Sequence, residues 1–169
     1  MTALERVQRA RKNLENYIHN ERANLLKRSV TDDGAIEVLE HTRKTIQMMY
    51  YLGVITEAES EFWQDEGLLN AFQTNEPIAL APITEGHIHD FDLQTTPEPT
   101  LKKWWRARLT ATGTKLMKEY QQTTDNERKH TILSVFAAGM EAGGLVGALS
   151  TSERMQIALL IHKHRKEIK

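Results

Sequence analysis

The chain has 169 residues and no cysteine, which excludes a disulfide scaffold, a Cys-ligated zinc or iron–sulfur centre and a thiol nucleophile. With 40% hydrophobic and 27% charged residues it is not a disordered chain. The net charge of −1 conceals a segregation: residues 1–30 carry seven bases and three acids, 31–99 two and fourteen, 100–169 thirteen and six. Two basic ends flank an acidic middle. Such ends neutralise the middle, within one chain or across a dimer, or form a face for a polyanion. Otherwise the acidic middle docks a basic partner.

Helix signals dominate. Thr2 with Glu5 is a capping box, in which a hydroxyl and a carboxylate satisfy two orphan backbone N–H groups. It opens a helix over about residues 2–29, about 42 Å long at 1.5 Å per residue. Its stripe is Leu4, Val7, Leu14, Ile18 and Leu25, interrupted by Arg11. A second helix is expected after Asp32-Asp33-Gly34, with Leu39, Ile46, Met49 and Tyr50 on one face and Gly53 as its left-handed stop. Thr56 with Glu59 caps a third, over roughly 57–73, with Phe62, Leu69 and Phe72 inward.

Residues 75–99 hold all four prolines and lack helical period, which marks a linker, a functional loop or an arm. Thr100 is expected to cap a fourth helix with Leu101, Trp105, Leu109, Leu116 and Tyr120 inward, and Gly113 within it marks a kink or a close contact. Asp125 caps a fifth, carrying Ile132, Val135, Phe136 and Met140. Ser150 with Glu153 caps the last, apolar nearly all round from Met155 to Ile161, hence buried on several sides or facing a second subunit. The sum is an all-α protein of about six helices in antiparallel bundles, one domain over 1–169.

A faint repeat runs through it. Gly53-Val54-Ile55-Thr56 and Glu59 recur as Gly147-Ala148-Leu149-Ser150 and Glu153, 94 residues later. Any helix–turn–helix joint favours a glycine stop and a capping box, so the match alone has a local explanation. Read as a duplication, it divides the chain into halves 1–74 and 100–169, joined by 75–99.

Three constellations bear on chemistry. Lys102, Lys103, Trp104, Arg106 and Arg108 interleave bases with an indole, as phosphate contacts and base stacking require. With the basic termini they form the candidate nucleic-acid face. His87 and His89 sit two apart, on one side of an extended chain, with Asp90 and Asp92 as oxygen donors, the candidate metal site of a metal-dependent enzyme. Glu127 and His130 have the spacing of a di-iron helix, but a second such motif is missing. The stretch 132–149 is apolar but carries Glu141 and four glycines, which favours a helix and a glycine turn over a membrane span.

The leading expectation is a non-enzymatic interaction or regulatory protein that self-associates as a dimer, with an unidentified protein partner. It is cytoplasmic, with no membrane association and no cofactor. Its motivation is the long first helix, the apolar last helix and the segregated charge.

Overall fold

In a computed structural model describing residues 1–27, 32–81, 83 and 92–168, the chain is all-α. The helices among the described residues are α1 (Ala3–Lys27), α2 (Asp32–Tyr51), α3 (Glu57–Gln64), α4 (Glu66–Gln73), α5 (Glu98–Gln122), α6 (Asn126–Val146) and α7 (Thr151–Glu167). All three capping boxes form: Thr2 with Glu5, Thr56 with Glu59, Ser150 with Glu153.

Two expectations for helix ends change. The single helix over 57–73 breaks at Asp65, whose φ of −129° and ψ of −95° leave the helical region. The ring of Phe62 lies over Gly67, 2.5 Å from where a β-carbon would stand. The break re-phases the segment: Leu68 and Ala71 are buried, whereas Phe62 and Leu69, expected inward, are exposed. Thr100 is not the cap of α5. The helix starts at Glu98 behind Pro97, with Pro99 in its first turn, where proline's fixed φ suits a helix and its missing N–H costs nothing.

The main core joins Val7, Leu14 and Ile18 of α1 to Ile46 and Met49 of α2, Leu101 and Trp105 of α5, and Ala138, Ala142 and Val146 of α6. Each large side chain buried there contributes roughly 1.5–3 kcal/mol. A smaller cluster, Tyr120, Ile132, Leu133 and Ile161, ties the far ends of α5 and α6 to α7. Expected burial of α7 on several sides is not met: Ile161 is its buried residue, while Met155 and Leu159 are 64% and 65% exposed. The helix packs on α6 and lies at the molecular surface.

Both helix-ending glycines adopt the left-handed conformation, Gly53 at φ 74° and Gly147 at φ 76°. After α2, Val54 N donates to Met49 O and Gly53 N to Tyr50 O; after α6, Ala148 N donates to Gly143 O and Gly147 N to Gly144 O. These are Schellman turns, and each satisfies two orphan carbonyls.

An arginine then locks each turn in the same way. Arg11 donates to Val54 O at 3.0 Å and grips both Glu59 carboxylate oxygens, at 2.9 and 2.7 Å. Arg106 donates to Ala148 O at 2.8 Å and grips both Glu153 oxygens, at 3.0 and 2.9 Å. Each half also reaches into the other's turn. Asn13 donates to Leu145 O at 2.9 Å, and Arg108 to Tyr51 O at 3.1 Å. The six acceptor residues form three pairs at the 94-residue offset (Tyr51 and Leu145, Val54 and Ala148, Glu59 and Glu153), and the four donors form two pairs one residue beyond it.

Residues 75–81 are not a free linker. They lie along α1, held where Arg22 donates to the carbonyls of Ala71, Thr74 and Glu76, where Leu80 N donates to Glu15, and where Arg11 donates to Ala81 O. The chain continues past the foot of α1, where Leu4 N donates to Leu93 O and Ala3 N to Thr96 O. No helix among the described residues is long and apolar enough to cross a membrane.

Candidate functional site

The basic aromatic cluster of α5 is spread around the helix and largely engaged within the chain. Lys102 pairs with Glu98 at 2.9 Å, and Arg106 holds the Ser150 turn through Glu153. The Arg108 guanidinium lies between two rings, 4.8 Å from Tyr51 and 4.3 Å from Trp104. Trp104 is half-buried against the core and Lys103 is exposed. For the metal site, His87, His89 and Asp90 lie outside the described residues. Asp92 accepts from Gln94 N at 3.0 Å in a turn. No group of three metal-ligating side chains occurs among the described residues.

A polar cluster that sequence reasoning missed joins α1 and α2. Tyr17 lies 3.5 Å from the Thr45 hydroxyl, and its ring meets His41 edge-on, with centroids 6.5 Å apart. Burial pushes the Tyr17 phenol well above its ordinary range. Burial likewise lowers His41; Glu141 opposes that shift and Arg165 and Lys44 reinforce it. Both groups are therefore neutral at pH 7, and they plug the junction of α1 and α2.

The corresponding region of the second half is open. A groove of about 580 Å³ runs between α5, α6 and α7, bounded by Leu109, Met117, Phe136, Met140, Ile157 and Leu160. Its origin is visible in the side chains at corresponding positions. Gly113 stands where α1 has Ile18, Thr112 where it has Tyr17, Gly139 where α2 has Thr45, and Ile157 where α3 has Trp63. Smaller side chains leave volume that the first half fills.

The cover differs too. On α1 the straps Glu15 and Arg22 hold residues 71–80; the corresponding residues on α5, Thr110 and Met117, line the open groove and strap nothing. Lys118 is the charged residue of the groove lining. A second depression of about 500 Å³ shares Met48, Thr112, Leu116 and Val135 with it and adds Lys44, Lys115 and the Arg128–Glu119 ion pair, closed at 2.6 Å. The whole is an apolar trough with a cationic rim. Chemically it can bury apolar side chains and attract acidic ones.

No family model matches the chain, and no curated protein or solved structure matches it.

Proposed function

We propose that this chain is a non-enzymatic helical interaction protein that self-associates, with the groove between α5, α6 and α7 and the outer face of α7 as its working surface. The observation that carries this reading is the groove itself. Leu109 and Met140 line it half-buried, whereas Leu14 and Ile46 at the corresponding positions are fully buried. Leu160 stands exposed at its edge, and Met155 and Leu159 add exposed apolar side chains on the outer face of α7. Clustered exposed apolar side chains of this kind mark interaction sites.

The engagement of Lys102, Arg106 and Arg108 within the chain weighs against α5 as a nucleic-acid face, because a phosphate would have to displace Glu98, Glu153 and the Tyr51 carbonyl. The segregated charge supports association between copies, since the acidic 31–99 and basic 100–169 segments attract across an interface.

Leu160→Glu places a charge at the edge of the groove on a residue that is 40% exposed, so it leaves the core intact. Loss of one buried anchor of this type costs about 2 kcal/mol, roughly 30-fold in Kd. Light scattering after size exclusion is expected to show wild-type protein as a dimer or larger at tens of micromolar and Leu160→Glu shifted towards monomer. A monomeric wild type, or an unshifted variant, would remove the support for this reading.

A further inference from the structure

Two exposed apolar stripes occupy corresponding places in the two halves and carry opposite charge. On α7, Met155, Leu159, His162, Lys163 and Lys166 recur at three- and four-residue steps along the exposed face. On α3 and α4, Phe62 and Leu69 are 47% and 42% exposed, and Glu57, Glu61, Asp65 and Glu66 are exposed around them. Residues 57–73 hold five acids and no base, and Glu59 alone of the five is gripped by Arg11. At the 94-residue offset, Glu61, Asp65 and Leu69 correspond to Met155, Leu159 and Lys163.

We infer that the α3–α4 stripe of one copy seats on the α5–α7 groove and the outer face of α7 of a second copy. Phe62 and Leu69 are the anchors, and Glu61, Asp65 and Glu66 meet Lys118, Lys163 and Lys166. The inference rests on the self-association proposed above and names its two faces. Charge complementarity selects the occupant. The trough is apolar with a cationic rim, and the matching apolar surface with an anionic rim is on the same chain.

The contact is head-to-tail. Each copy keeps one unused face after the first contact, and the dimer therefore keeps one of each kind, so it is the first step of a ring or an open chain. Screening of the ionic rim predicts weaker association at higher salt.

Two variants separate the faces without reversing any charge. Glu61→Gln with Leu69→Ser disables the α3–α4 stripe; Leu159→Ser with Lys163→Gln disables α7. All four positions are exposed, and unchanged helical circular dichroism establishes that both variants fold. Each variant alone is expected to be monomeric, with Kd raised 30-fold or more. Mixed, they are expected to form a 1:1 heterodimer with a Kd near that of wild type and nothing larger, because each supplies the face the other lacks. If wild type associates but the mixture stays monomeric, the head-to-tail assignment is overturned while self-association stands. If wild type is itself monomeric, both fall.

Discussion

At the residue scale, Gly147 and Arg6 share one small volume. A β-carbon on Gly147 would lie 1.3 Å from an Arg6 terminal nitrogen, and the backbone there has φ 76°. Gly147→Ala therefore strains the backbone and expels Arg6 from its 2.8 Å bond to Val146 O. A loss of about 1–3 kcal/mol is expected in urea unfolding. Gly113→Ala is the contrasting case: its β-carbon would meet Phe136 at an ordinary 3.5 Å, within a regular helix. Alanine there is expected to raise stability by up to about 1 kcal/mol. If Gly147→Ala unfolded no more easily than Gly113→Ala, the left-handed turn would not be the constraint described.

Glu153 adds a pH dependence. Its hydrogen bonds with Arg106, then with Ser150, hold its carboxyl at about 2, well below the usual carboxylate range. The native state therefore binds fewer protons than the unfolded chain, whose glutamates titrate near 4.3. The stability this pair contributes is present above about pH 4.3 and is lost as the pH falls towards about 2. Glu153→Gln is expected to flatten the urea midpoint against pH in that window and to leave its slope unchanged above pH 6. The capping boxes were legible in the sequence because partner and cap are three residues apart. Arg11 was not, and read only as an interruption of an apolar stripe. It is 5% exposed, and its partners Val54 and Glu59 are 43 and 48 residues away.

At the scale of elements, α1 is held by polar straps as well as by its apolar stripe. Arg22 is 5% exposed and spans the carbonyls of Ala71, Thr74 and Glu76, which fixes the end of α4 and the chain that follows. Arg22→Ala would leave these carbonyls without their donor and is expected to cost about 2–4 kcal/mol. It would also speed proteolysis or hydrogen exchange at residues 74–81 more than in α6. Equal acceleration in both places would mean that the strap and the core open together. The helices were legible through period and caps, with their ends right to within a few residues. The break at Asp65 was not, because it depends on the Phe62 ring lying against Gly67, a contact that neither helical period nor capping signals announce. It carries Phe62 and Leu69 to the surface, where the proposed interface needs them.

At the scale of the whole molecule, similar turn-and-arginine locks follow α2 and α6, and the segments they join differ in what covers them. The repeat showed in the sequence as a glycine, a hydroxyl and a glutamate. The groove did not, because it comes from absent volume. Gly113 and Ile157 are unremarkable until set against Ile18 and Trp63. The charge segregation was legible in full. Its consequence was not, since α5 spends Arg106 and Arg108 inside the chain, while α3, α4 and α7 keep charged residues exposed beside apolar ones.

These exposed faces are proposed to join copies of the chain. Sedimentation velocity of the wild-type protein, from micromolar to hundreds of micromolar at low and high salt, tests it most directly. The weight-average mass is expected to climb with concentration past the dimer and to fall as salt is added. A single monomeric boundary of 19.4 kDa across the whole range would contradict it.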